Sequence, residues 1–139
     1  MSESEQVFLF VDMLIAGAFA VVIGYDREQR GKAAGLRTHI LVAVGACLFT
    51  VLSQNGFPGS DTSRVAAAVV SGIGFLGAGV IFKDNDEVHG LTTAASIWVT
   101  AAVGMAVGAG AWVLGLLTTI AVWIVLYVLK RIKEAHIED

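Results

Sequence analysis

Five long apolar stretches, separated by short polar breaks, are the feature of this sequence that most restricts its fold. They run over residues 7–23, 36–52, 65–82, 91–109 and 112–129. Each approaches the roughly 20 residues that a helix needs to cross a hydrocarbon core of about 30 Å. Only helices and closed barrels cross lipid, and these stretches are too long for barrel strands. The sequence therefore predicts an all-α membrane protein: a single transmembrane domain over residues 1–139, built as a bundle of about five transmembrane helices.

Composition agrees with a chain whose main partner is the lipid bilayer. Apolar residues make up 56% of the sequence and charged residues only 15%, whereas a soluble globular domain has about 25% charged residues. The net charge is −3 and no basic block is present, which argues against nucleic acid as a partner. Glu3 and Glu5 stand where a signal peptide carries Lys or Arg, so we expect no cleaved signal peptide.

The basic residues are unevenly divided between the polar breaks. Segments 25–37, 83–90 and 130–139 hold eight of the nine Lys and Arg residues, and the ninth is Arg64. Cytoplasmic loops of membrane proteins are enriched in Lys and Arg, so these three segments are predicted to lie in the cytoplasm. The N-terminus is then outside and the C-terminus is cytoplasmic.

Polar residues collect at the predicted cytoplasmic ends of the first, second and fourth helices. Charges so close to hydrocarbon tend to pair or to extend toward the interface. Thr38, and Thr92 or Thr93, are suited to cap the second and fourth helices. We predict a polar cluster here, either a structural ion-pair network or a ligand or ion site. Its members are Asp26, Arg27, Glu28, Arg37, Thr38, Thr92 and Thr93.

Asp12 is an acid inside the first apolar stretch. It lies five residues in, about 7.5 Å below the apolar edge at the usual rise per residue. A carboxylate at this depth is costly, and such residues are commonly functional. The alternatives are protonation, or a hydrogen bond to Ser53, Ser63 or Arg64.

The third stretch contains Gly72, Gly74 and Gly77 in the spacing G-x-G-x-x-G. That spacing indicates dinucleotide binding only in a soluble strand–turn–helix unit, which an uncharged apolar span does not provide. The same stretch carries small residues at three- and four-residue intervals, which let membrane helices approach closely. We interpret these as a helix-packing face, and with the similar fourth stretch they predict a homodimer: Ala67, Ser71, Gly74 and Ala78.

Signs of enzyme chemistry are few. No span holds a pair of acids and no known catalytic motif is present, so we expect no enzymatic activity and no cofactor. Segment 84–89 carries carboxylates and His89 in a turn, which suits loose contact with a hard cation such as Mg²⁺. It lacks the spacing of a dedicated calcium loop, and the identity of any metal stays open.

Several blocks of the sequence resemble the MgtC/SapB family of membrane proteins. They are Gly-Tyr-Asp-Arg-Glu at 24–28, Gly-Leu-Arg-Thr-His at 35–39, Arg-Val-Ala-Ala at 64–67, the glycine-rich block 71–81 and the Gly-Leu-Thr-Thr-Ala block 90–104. Asp26 stands where the family usually has Glu. Many members also carry a C-terminal soluble regulatory domain, which we expect to be lacking in this chain.

The resemblance implies a bacterial inner-membrane protein that acts in adaptation to low magnesium and, in some pathogens, in survival inside host cells. Restraint of the F-type ATP synthase and a direct role in Mg²⁺ homeostasis are both proposed for family members. Two functions therefore stay open: a non-enzymatic regulator that binds membrane partners or itself, and an oligomeric Mg²⁺ transporter or channel. The resemblance implies a role for the polar cluster and for Trp98.

Overall fold

The computed structural model describes residues 1–135, so the end of the predicted cytoplasmic segment 130–139 lies outside the described residues. The five predicted helices are present, joined by short connections. In chain order the elements are α1 (Glu3–Gln29), α2 (Leu36–Asn55), α3 (Ser63–Ala78), β1 (Phe82–Asp84), β2 (Glu87–His89), α4 (Leu91–Gly108) and α5 (Trp112–Ala135). Helices α1, α2, α4 and α5 are long and apolar enough to cross a membrane.

Helix α3 is shorter than the apolar stretch that predicted it. It ends at Ala78, whereas the stretch runs to residue 82. Gly77 and Gly79 have low helix propensity, and the backbone tightens there into three-residue turns, with Val80 N bonded to Gly77 O at 3.2 Å. The last apolar residue of the stretch, Phe82, begins a strand instead.

A β-hairpin replaces the loop that the all-helical prediction placed between the third and fourth helices. Strands β1 and β2 pair antiparallel, with Phe82 opposite His89. Asn85 and Asp86 form the turn with φ angles of 45° and 70°, the left-handed values that a two-residue hairpin turn requires. Gly90 follows with φ of 86°, and a Cβ there would collide with the Val80 carbonyl oxygen, so glycine closes the hairpin onto α4.

Helix α4 is the centre of the bundle and contacts all four other helices. Its closest approach is to α2. A Cβ on Gly104 would collide with the Ala43 carbonyl, and one on Gly108 would lie 2.7 Å from the Cys47 carbonyl oxygen. These two glycines form a G-x-x-x-G pair, the spacing that lets membrane helices pack backbone to backbone. Alanines of α1 and α2 fill the adjoining core.

The packing face predicted on α3 is not used within the chain. All four of its members are exposed, namely Ala67, Ser71, Gly74 and Ala78. The residues of α3 that are buried are Val69 and Gly77. The small-residue contact inside the bundle is therefore made by α4 and α2, and a role for the α3 face against another chain stays a prediction.

Candidate functional site

Arg27 is the centre of a buried polar cluster at one end of the bundle. It lies near the end of α1 and is only 3% exposed. Its Nη2 donates a hydrogen bond of 3.0 Å to the hydroxyl of Thr93 in the first turn of α4. The predicted cluster therefore forms around the charged side chain of Arg27, which extends from α1 to α4.

Asp26 and Arg30 form an ion pair beside Arg27. The Nε of Arg30 donates to Asp26 Oδ1 at 2.8 Å, one helical turn along α1. Asp26 is 9% exposed. Among the described residues, its second oxygen Oδ2 and the Nε of Arg27 are buried without a hydrogen-bond partner. Buried polar atoms are almost always paired, so these two retain unused bonding capacity for water or a ligand.

Glu28 connects α1 to the start of α2. Its Oε2 accepts a hydrogen bond of 2.7 Å from the Leu36 backbone N–H, one of the unpaired donors at a helix N-terminus. The carboxylate also lies against Gly35, where a Cβ would collide with it. Glu28 therefore does what the sequence assigned to Thr38: the N-cap residue of α2 is Gly35 and no cap bond comes from its side chain.

The expectation for Thr92 and Thr93 as helix caps was also wrong. The N-cap of α4 is Gly90, and it has no side-chain cap bond. Thr93 instead accepts the bond from Arg27, whereas Thr92 is exposed. Arg37, Thr38 and Glu28 are exposed too, so four of the seven predicted members lie outside the buried part of the cluster.

His39 belongs to the cluster, although it was not among the seven predicted members. It is fully buried. Its Nδ1 donates to the Gly35 carbonyl at 2.8 Å and its Nε2 lies 3.0 Å from Ser96 Oγ. Ser96 also donates to the Thr93 carbonyl at 2.7 Å. In neutral His39 the Nε2 is an acceptor. The single hydroxyl proton of Ser96 therefore has two possible acceptors, His39 Nε2 and the Thr93 carbonyl.

Tyr127 of α5 lies between two guanidinium groups at the same end of the bundle. The Cζ of Arg30 is 5.8 Å from the centre of its ring, and that of Arg131 is 5.3 Å away. Trp123 stacks on the same tyrosine at 5.2 Å between ring centres. The cation–π contact with Arg30 attaches α5 to the ion pair of Asp26 and Arg30.

Asp12 lies far from this cluster. It is 15 residues before Arg27 on α1, or about 22 Å along the helix axis. It is buried, and its side chain lies near that of Trp112 at the start of α5. Two of the three partners suggested by the sequence bond to other groups: Ser53 donates to the Thr62 carbonyl and Ser63 to Asp61.

Side chains of the acidic hairpin turn make two ion contacts, and loose contact of this turn with a hard cation stays a prediction. Lys83 Nζ lies 2.8 Å from Asp86 Oδ1, and His89 is 3.8 Å from Glu87. Within residues 1–135 no three His, Cys, Asp or Glu side chains are grouped closely enough to hold a metal ion.

Comparison with known proteins gives one family. Residues 13–135 match the family model described as the MgtC family. A protein of Escherichia coli K12 named "Putative magnesium transporter YhiD" is 46% identical over 132 residues, covering 88% of this chain and 61% of the relative. Protein MgtC of Brucella abortus is 55% identical over 98 residues, covering 69% of this chain and 41% of the relative.

A third relative, protein MgtC of Salmonella typhimurium, is 42% identical over 123 residues, covering 88% of this chain and 53% of the relative. The chain thus spans between 41% and 61% of the length of these curated relatives. No solved structure matches the chain.

Proposed function

This chain belongs to the MgtC family, and from that membership we propose that it is a non-enzymatic regulator in the bacterial inner membrane. In this proposal it acts in adaptation to low magnesium by binding another membrane protein or a second copy of itself. Its N-terminus faces outside, and the end of the bundle that holds Arg27 faces the cytoplasm, where most of the Lys and Arg residues then lie.

The buried guanidinium of Arg27 is the observation that favours a regulator over a transport pathway. It is 3% exposed and lies between α1 and α4. Two unit positive charges 4 Å apart repel by about 4 kcal/mol at an effective dielectric constant of about 20, and Mg²⁺ carries two such charges. Cation paths through membranes are usually lined by acids, so a path along this part of the core is electrostatically opposed.

Packing of the core supports the same proposal. Helices α2 and α4 touch at Gly104 and Gly108 so closely that a single methyl group would collide with the facing backbone. A hydrated cation needs a continuous space several ångströms wide. The contact between these helices is instead suited to a rigid scaffold.

The exposed face of α3 supports a role in binding other membrane helices. Ala67, Ser71, Gly74 and Ala78 present a smooth surface to the outside of the bundle. Membrane helices associate by close van der Waals packing, which small residues permit. A second copy of this chain is one candidate partner. A subunit of the F-type ATP synthase is another, because the family resemblance implies it.

The alternative function is an oligomeric Mg²⁺ transporter or channel. The name of the Escherichia coli relative, "Putative magnesium transporter YhiD", favours it. The buried acid Asp12 favours it as well, since an acid within a span is a common element of ion pathways. In that case the path lies between copies of the chain rather than within one.

A flux measurement separates the two functions. The purified chain is reconstituted into liposomes that contain a Mg²⁺-sensitive dye, and Mg²⁺ is added outside. We expect the same dye response as in protein-free liposomes. Saturable Mg²⁺ entry that is abolished by Asp12→Asn contradicts the regulator and supports the transporter.

A test in cells addresses the partner surface. Ala67→Leu roughens the exposed face of α3, whereas Ala121→Leu makes the same change at an exposed position of α5. In a bacterium that depends on this chain for growth at low magnesium, we expect Ala67→Leu to lose growth and Ala121→Leu to retain it. Both variants must be present in the membrane at the wild-type level. Equal growth of the two is evidence against α3 as the partner surface.

A further inference from the structure

A groove runs along the outside of the bundle between α2 and α3. Its cavity volume is about 720 Å³, within the range of roughly 300–1,000 Å³ that ligand pockets occupy. Small residues of both helices line it, among them Gly45, Ala46, Ala68 and Gly72. Neither glycine has any atom within 4 Å of where a Cβ would stand. The groove is therefore open space that the chain itself leaves unfilled.

Arg64 lines one end of this groove. It lies in the first turn of α3 and is exposed. The acid nearest in sequence, Asp61, is already engaged: its Oδ1 accepts bonds from the Ser63 hydroxyl at 2.6 Å and the Ser63 N–H at 2.9 Å. These bonds hold the pKa of Asp61 below its usual value. Among the described residues no carboxylate forms an ion pair with Arg64.

A second groove on the other side of α3 provides a comparison. It is formed by α3, α4 and the end of α2, has a cavity volume of about 490 Å³ and is lined by neutral side chains such as Ser53, Thr62 and Trp98. The two grooves flank the same helix and both are largely apolar. The groove between α2 and α3 differs by having a cation at one end.

We propose that the groove between α2 and α3 binds one phospholipid, with an acyl chain along the glycine- and alanine-lined floor and the phosphate against Arg64. From Arg64 to Leu76 the groove follows twelve residues of α3, about 18 Å. One leaflet contributes about half of a hydrocarbon core of about 30 Å, so the length suits one acyl chain. The guanidinium forms two parallel hydrogen bonds to phosphate oxygens.

Charge complementarity selects a phospholipid over a helix from a second copy. An apolar helix in the groove covers its floor but offers the guanidinium of Arg64 no anion. A phospholipid supplies both parts at the matching positions, because its phosphate lies at the level where the hydrocarbon ends. The proposal concerns a lipid site and is independent of whether the chain regulates or transports.

The test is native mass spectrometry of the full chain, released from detergent after incubation with phosphatidylglycerol. Arg64→Gln removes the charge, and Gly72→Leu fills the groove. Gly74→Leu is the matched control, because Gly74 is equally open but does not line the groove. We expect each of the first two variants to retain about tenfold less lipid, which for Arg64→Gln is the effect of losing about one charge-assisted interaction. Gly74→Leu should retain lipid as the wild type does.

Two outcomes overturn the proposal. If Gly72→Leu retains as much lipid as Gly74→Leu and the wild type, the groove does not hold the lipid. Unchanged retention by Gly72→Leu together with conversion of a dimer to a monomer shows that a second copy fills the groove. If Gly72→Leu does not give a monodisperse protein, Gly45→Leu on the opposite wall gives the same readout, since its Cβ also enters open space.

Discussion

Arg27 and Thr93, separated by 66 positions in the sequence, are joined by a hydrogen bond of 3.0 Å between two buried side chains. The bond ties the last part of α1 to the first turn of α4, the helix that contacts every other helix of the bundle. A guanidinium in this position is held by few partners, because its Nε has none among the described residues. Stability of this end of the bundle should therefore depend on the hydroxyl of Thr93.

Thr93→Val keeps the shape of the side chain but removes the acceptor for Arg27. A buried charged donor without a partner is destabilising, and interhelical bonds in membrane proteins contribute up to about 2 kcal/mol. We expect the free energy of unfolding in detergent to fall by about 1–2 kcal/mol. Thr92→Val is the control, since Thr92 is exposed, and it should change stability by less than about 0.5 kcal/mol. Similar losses in both variants would show that the bond contributes little.

Ser96→Ala removes the hydroxyl that lies 3.0 Å from Nε2 of buried His39. The imidazole then has an unpaired ring nitrogen, which costs about 1–3 kcal/mol in a buried site. We expect a lower unfolding temperature than for Ser71→Ala, the same substitution at an exposed position of α3. NMR of ¹⁵N-labelled histidine is a second readout, and the His39 ring signals should shift in Ser96→Ala alone. Unchanged ring signals would contradict the contact.

Glu28→Ala removes the carboxylate that accepts the Leu36 N–H at the start of α2. Loss of a side-chain cap typically costs about 1 kcal/mol. Glu28→Gln retains an acceptor oxygen and should recover most of that loss. Unfolding of the two variants in detergent, followed by circular dichroism, measures the difference. If both variants equal the wild type, the cap bond has no energetic role.

Gly104→Ala places a methyl group against the Ala43 carbonyl on α2. Because this contact is between two backbones, α2 and α4 must separate, and overpacking of this kind costs about 1–3 kcal/mol. We expect a marked loss of stability in detergent. Gly74→Ala is the control: its Cβ enters open space and alanine has higher helix propensity, so stability should be unchanged or slightly raised. A neutral Gly104→Ala would contradict the close approach.

The number of helices was predictable because each apolar stretch is long and the breaks between them are polar. The choice of packing face was not. Spacing of small residues is present on α3 and, as Gly104 and Gly108, on α4, and lipid is as apolar as a helix surface. Hydrophobicity therefore does not distinguish a buried small face from an exposed one. The G-x-x-x-G spacing on α4 was the signal that sequence reasoning passed over.

The polar cluster was predictable in its location but not in its pairings. Asp26, Arg27, Glu28 and Thr93 stand next to apolar stretches, which marks them in the sequence. Their partners depend on which sides of α1, α2 and α4 meet. His39 is an example: one turn after Gly35 it returns to that residue's carbonyl and also reaches Ser96 on α4. The hairpin had a readable signal, the pair Asn85 and Asp86, which accept left-handed backbone angles.

The shortness of α3 has a consequence for the surrounding bilayer. Sixteen residues give a helix of about 24 Å, about 6 Å less than a typical hydrocarbon thickness of about 30 Å. Hydrophobic mismatch of this size is relieved by local thinning of the bilayer, at a cost of fractions of a kcal/mol per ångström. The longer helices lie on the other sides of the bundle, so the deformation is confined to one flank. We therefore expect the bilayer to be thinner beside α3, and membranes built from shorter acyl chains should accommodate this helix at lower cost.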